Sequence, residues 1–178
     1  MRKLAVTEMG RLTPEEFAAA DKAPLAVVLD NVRSAYNVGA VLRTADAFRV
    51  EKAFMCGITA CPPSAEIHKT ALGAEDTVEW EYRPDTAVAV AELVSQGYTV
   101  FAVEQAEGSE MLQSFTPPEG KCAIVLGNEV KGVSQQVVDM CAGCIEIPQF
   151  GTKHSLNVSV AAGIVMWHIT QLRPAQPR

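Results

Sequence analysis

The sequence predicts an α/β domain: a mainly parallel sheet of six strands with helices on both faces. Three observations predict it. The runs Leu25 to Leu29, Tyr98 to Val103 and Cys122 to Leu126 are apolar without alternation, as strands covered on both sides are. Strand-like and helix-like segments alternate six times along the chain. Capping residues and glycine or proline stops separate them. With 178 residues, 48% of them apolar and 20% charged, the chain fits one globular domain and can bury a sizeable core.

Met1 to Gly10 is polar and reads as an arm. Thr13-Pro14-Glu15-Glu16 starts a short helix, with Thr13 as N-cap, Pro14 at the first position and Glu16 closing a capping box. It ends near Lys22, so residues 1–24 form an extension and residues 25–173 the domain. Leu25 to Leu29 is the first strand and Asp30 to Tyr36 a polar loop. Asn37-Val38-Gly39 opens a helix to about Phe48, with Val38, Leu42 and Ala45 inward. Lys52 to Cys56 is the second strand; Pro62-Pro63 forces a break and Ser64 caps a helix to Leu72.

Val78 to Tyr82 is the third strand, and Asp85 to Gln96 an amphipathic helix stopped by Gly97. After the strand Tyr98 to Val103, Glu104 to Glu119 lacks periodicity and reads as a loop. Cys122 to Leu126 is a strand, Gly127 to Gly132 a loop, Ser134 to Met140 a short helix and Ile145 to Pro148 the last strand. A polar glycine loop, Phe150 to His154, then leads to Ser155 as N-cap of a final helix. That helix is apolar on both faces, with Leu156, Val160, Ile164 and Trp167 on one and Val158, Ala161, Val165 and Ile169 on the other, which predicts burial all round.

A net charge of −6 argues against a basic coat for non-specific nucleic-acid binding, though not against a local basic patch. Five cysteines, an odd count without a signal-peptide pattern, suggest a reducing cytoplasm. Cys141-Ala-Gly-Cys144 is a C-x-x-C with no second pair at zinc-ribbon spacing and no thioredoxin-like strand before it. Three scattered histidines make a poor metal site, so none is expected, and no apolar run reaches membrane-spanning length. No dinucleotide fingerprint, P-loop or G-x-S-x-G elbow is present.

Ligands of parallel sheets bind beyond the carboxyl ends of the strands. Three polar loops sit there: Asp30 to Gly39, Gly127 to Gly132 and Phe150 to Asn157. Their plainest reading is glycines making turns and polar residues capping helices. Yet LDNVRSAYNVGAVLRTADAF (Leu29 to Phe48), IVLGNEVKGVS (Ile124 to Ser134) and IPQFGTKHSLNVSVAAGI (Ile147 to Ile164) resemble, in order, the three motifs of the SpoU family. That family belongs to the SPOUT class of RNA methyltransferases.

The resemblance implies a C-terminal deep trefoil knot, a feature that general fold rules would never predict. It implies S-adenosyl-L-methionine as cofactor, a 2′-O-methylated ribose in RNA as product, and a homodimer as the active form. Leu126, Gly127, Asn128, Ile147, Leu156 and Asn157 would hold the cofactor. Asn37, Arg43, Glu129, Ser155 and Asn157 match the family's polar active-site positions, with Arg43 reaching the partner subunit's site. A guanidinium stays protonated far above neutral pH, so Arg43 is better suited to holding a phosphate and a developing alkoxide than to acting as a base. Arg33, Arg43, Lys69, Lys131, Lys153 and His154 fall in or near the loops and are expected to contact RNA. The short stretch before Leu25 leaves no room for an added RNA-binding domain, which favours transfer RNA over ribosomal RNA. The competing expectation is a catalytically silent RNA- or cofactor-binding module of the same fold.

Overall fold

The structure, a computed structural model, describes residues 1–172. Its elements are β1 (Ala23–Asp30), β2 (Val50–Cys56), β3 (Trp80–Arg83), β4 (Tyr98–Val103), β5 (Glu110–Met111), β6 (Lys121–Leu126) and β7 (Gly143–Glu146), in sheet order β3-β2-β1-β6-β4-β7-β5. Every pairing is parallel. The seven helices are α1 (Pro14–Ala19), α2 (Ala35–Ala47), α3 (Ala65–Ala71), α4 (Ala74–Thr77), α5 (Thr86–Ser95), α6 (Gln135–Met140) and α7 (Val158–Gln171).

Two cores lie on opposite faces of the sheet. Alternate residues of the central strands divide between them: Leu25, Val27 and Leu29 face α2, α3 and α7, while Ala26 and Val28 face α5 and α6. β1 is fully buried from Leu25 to Leu29, as its unbroken apolar run requires. The capping box at Thr13 and Glu16 forms as read from the sequence. α2 crosses α3 at Gly39, where an added Cβ would lie 2.2 Å from Thr70 Oγ1 and 2.3 Å from the Ile67 carbonyl. Only glycine permits that approach.

Several expectations are corrected. The sheet has seven strands, not six: β5 is two residues long, too short for any periodicity, and sits within the stretch read as loop. α4 and a 3-10 turn at Val6–Glu8 were likewise below the length that patterning detects. α2 begins at Ala35, capped by Ser34, two residues before the predicted start. α7 is capped by Asn157 and not by Ser155, because Asn157 Oδ1 accepts the Ser159 N–H at 2.9 Å.

α7 is also not buried all round within one chain. Val158, Ala162, Val165, Met166 and Ile169 are buried, whereas Val160 is 50% and Trp167 54% exposed, with Leu156 and Ile164 beside them. No helix among the described residues is long and apolar enough to cross a membrane. Arg173, the end of the expected domain, lies outside the described residues.

Candidate functional site

Register places the site. Leu29 of β1, Leu126 of β6 and Val103 of β4 stand side by side, and Ile145 of β7 is beside Val103. Four segments therefore leave the sheet at the carboxyl ends of its strands, after Asp30, Val103, Leu126 and Glu146. Asp30, 2% exposed, ties three of the surrounding elements together. Its Oδ1 accepts from Thr86 Oγ1 at 2.6 Å and Asn31 Nδ2 at 2.8 Å, and its Oδ2 accepts from Ser134 N at 3.0 Å. The first residue of α5 and the cap of α6 are thus fixed to the end of β1.

These segments enclose a cavity of about 480 Å³. Its apolar wall comes from Val103, Leu126, Ile145, Ile147, Leu156 and Val158. Polar groups come from Glu104 and Gln105 after β4, from the 127–132 loop, and from His154, Ser155 and Asn157 before α7. The 127–132 loop is folded back tightly. Asn128 and Gly132 exchange backbone hydrogen bonds, and Asn128 Oδ1 accepts from Val130 N and Lys131 N at 2.9 and 3.1 Å. A Cβ on Gly127 would lie 2.1 Å from the backbone of Gly132 and Val133, and Gly132 has a φ of +68°. Glu104 buttresses this turn: its Oε2 accepts the Val133 N–H at 2.9 Å. Gln105 Nε2 donates to the His154 carbonyl at 2.6 Å, linking the β4 loop to the one before α7.

A chain of polar contacts runs along the rim. Glu129 accepts from the backbone of Arg33 at 2.9 Å, from the backbone of Ser34 at 3.0 Å and from Asn37 Nδ2 at 3.0 Å. Asn157 Nδ2 then donates to Asn37 Oδ1 at 3.1 Å. Partial burial pushes the Glu129 carboxyl up, but the donors from Arg33, Ser34 and Asn37 outweigh it and hold the group below its ordinary value. Glu129 is thereby a fixed anion that orders the loop opening α2.

The structure brings Leu126, Gly127, Asn128, Glu129, Lys131, Ile147, His154, Ser155, Leu156 and Asn157 to one cavity, with Asn37 joined through hydrogen bonds. It does not bring Arg43, Lys69, Arg33 or Lys153 to that lining. Arg43 is exposed on α2 and Lys69 on α3, while Arg33 and Lys153 are exposed in loops. Sequence reasoning missed Glu104 and Gln105, and placed Asp30 in a polar loop without its bracing role. The available signal for the first two was that polar residues directly follow an apolar strand, as at the other two sites.

Among the described residues, no three His, Cys, Asp or Glu side chains cluster as a metal ion requires. Burial, reinforced by Cys144, pushes the Cys141 thiol up to about 12, and burial raises Cys144 too. Reactive thiols are shifted the other way.

The profile of the SpoU rRNA Methylase family matches residues 24–167, which contain the whole sheet from β2 to β7, nearly all of β1 and the cavity. The chain belongs to this family. Among SpoU relatives, the tRNA (guanosine(18)-2′-O)-methyltransferase of Thermus thermophilus is 32% identical over 169 residues, spanning 94% of this chain and 84% of that one. The 23S rRNA (guanosine-2′-O-)-methyltransferase RlmB of Neisseria meningitidis is 33% identical over 143 residues; the match spans 80% of this chain but only 56% of the relative. The structure of the TrmH/SpoU tRNA modifying enzyme of A. aeolicus superimposes with a TM-score of 0.78 at 27% identity, covering 90% of this chain and 80% of that one. An AdoMet-bound rRNA methyltransferase of Sinorhizobium meliloti gives 0.77 at 26% identity, covering 89% and 60%.

Proposed function

We propose that this chain is an S-adenosylmethionine-dependent methyltransferase acting on a ribose 2′-hydroxyl in RNA. The observation that carries the reading is the single cavity onto which the second and third family motifs converge, joined at its rim to the first through the Asn37, Glu129 and Asn157 contacts. The cavity suits the cofactor. Its volume lies within the range of roughly 300–1,000 Å³ typical of small-molecule sites. Leu126, Ile147 and Leu156 offer an apolar slot for an adenine, and the folded-back 127–132 turn presents backbone groups beside it. When bound, S-adenosylmethionine supplies an already activated methyl group, so the protein need only orient the hydroxyl and help remove its proton.

In this reading Asn37 and Asn157 orient groups at the rim, and Glu129 holds the α2 loop in place. Ser155 stands at the cavity wall as a further polar contact. Arg43 grips the phosphate beside the target ribose and stabilises its developing alkoxide, from the other subunit of a homodimer. Support for that arrangement is that Arg43 is exposed and outside the cavity lining of its own chain. The half-exposed apolar stripe of α7 supports the dimer. We take residues 25–173 as the catalytic domain, with the trefoil knot of its class formed by the segments around β6, β7 and α7. Transfer RNA is favoured, supported by the Thermus relative, whose match spans 94% of this chain. The cytoplasm is the compartment we assign, where such RNA is modified and the thiols stay reduced.

The test compares 2′-O-methyl maps of total RNA from cells with and without this gene, and then adds purified protein and labelled cofactor to RNA from the latter. One restored ribose methylation is expected. Cofactor binding with no methyl transfer to any RNA would replace the enzyme reading by that of a silent binding module.

A further inference from the structure

Phe150 is 96% exposed, the most exposed large hydrophobic side chain among the described residues apart from Met1. It does not sit on a stray segment. Its neighbour Gln149 and, four residues on, His154 both line the cavity, and the His154 carbonyl is pinned by Gln105 at 2.6 Å. Phe150 therefore stands on the rim of the cavity, in a loop tied down at His154, with its ring in solvent. The exposed residues around it are Gly151, Thr152, Lys153 and His154, and no acidic residue occurs between Pro148 and Asn157. In a chain of net charge −6, that local balance favours a polyanion. An exposed ring beside a lysine ammonium is an arrangement on which unpaired bases stack while a phosphate meets the charge. A second copy of this chain is a poorer occupant, because a symmetric contact centred on this loop would face Lys153 with Lys153.

Resting on the methyltransferase reading, we infer that Phe150 is a stacking platform for an unpaired nucleobase of the RNA substrate at the mouth of the cavity. Lys153 holds the adjoining phosphate. Phe150 acts on RNA affinity and leaves cofactor affinity alone.

The experiment uses the full chain and RNA from cells lacking the gene, with Phe150 changed to Ala, Leu or Trp. Methyl transfer from labelled cofactor gives the apparent KM for RNA, calorimetry gives cofactor affinity, and light scattering gives the oligomeric state. Phe150→Ala should raise the RNA KM about tenfold or more, the scale of one lost base stack. Phe150→Leu should be as poor, since it stays apolar but has no ring. Phe150→Trp should stay within about twofold of the parent, and its added indole emission should be quenched by RNA. Cofactor affinity should be unchanged throughout. RNA affinity retained in Phe150→Leu, or a loss of self-association in Phe150→Ala with RNA binding intact, would overturn the inference in favour of an apolar protein contact. Parent activity with no loss in Phe150→Ala would overturn it while sparing the enzyme reading. A parent protein inactive on every RNA would overturn both.

Discussion

Asn157 donates through its Nδ2 to Asn37 Oδ1 across 3.1 Å, joining the cap of α7 to the first turn of α2. The two residues come from opposite ends of the domain, and Glu129 on the 127–132 loop grips the same Asn37. One polar chain thus couples the three loops around the cavity, and the consequences of cutting it can be measured.

Arg43→Ala should abolish methyl transfer and leave cofactor affinity nearly unchanged, with a rate loss of about a hundredfold or more for lost transition-state contacts. Arg43→Lys should also be poor, since an ammonium lacks the two-pronged geometry. Mixing Arg43→Ala with Asn157→Ala by co-expression tests the shared site. A mixed dimer has one site with both defects and one with neither, so part of the activity should return. No return, with mixed dimers demonstrated, would place both residues within one subunit.

The exposed stripe of α7 should be covered in solution. Light scattering at micromolar concentration should give twice the mass of the chain, and Val160→Glu or Trp167→Glu should lower it to one. Both positions are about half exposed in the single chain, so neither change should disturb its own core. A parent protein of monomeric mass would refute the dimer.

Gly127→Ala should be damaging where Gly151→Ala is not. The added methyl on Gly127 meets immovable backbone at 2.1 Å, whereas around Gly151 there is nothing within 4 Å. The first change should cost about 2 kcal/mol or more of stability and weaken cofactor binding, the second under about 0.5 kcal/mol. Denaturant unfolding and calorimetry on both variants check this. Equal, small effects would mean that the turn is not closed as described.

Glu129 should contribute a pH-dependent increment of stability. Its folded-state value lies below the ordinary carboxylate value, so the contribution is present above the unfolded value, near pH 4.3, and is lost as pH falls through the folded one. The group is solvent-accessible, so the increment should be modest, at most about 1 kcal/mol. Glu129→Gln should therefore be less stable than the parent at pH 7 and should approach it below pH 4. A gap that widens in acid would contradict the sign.

The central strands were legible because burial on both sides leaves an unbroken apolar run. Tyr98–Val103 agrees to the residue. The cap of α7 was not, because Ser155 and Asn157 are equally good caps by type, and only the tertiary pull of Asn37 selects the second. Asp30 reads from sequence as the first residue of a polar loop. Its hydrogen-bond partners Thr86 and Ser134 lie far along the chain, and no local pattern encodes them. Burial of α7 was over-read because an apolar circumference does not say which of its sides the chain itself covers. Most cavity residues were found through the three motifs, whereas Glu104 and Gln105 escaped because they lie outside all three.

The strand order also sets a timetable for the newborn chain. β1 ends at Asp30, yet its inner neighbour β6 begins only at Lys121, and the far wall of the cavity waits for β7 and the segment before α7. A polypeptide still emerging from the ribosome holds β1 with one flank open until residues 121–126 have been made. Such distant pairings form slowly because a long loop must close first. The cavity consequently cannot close before β7 and the segment preceding α7 have been made.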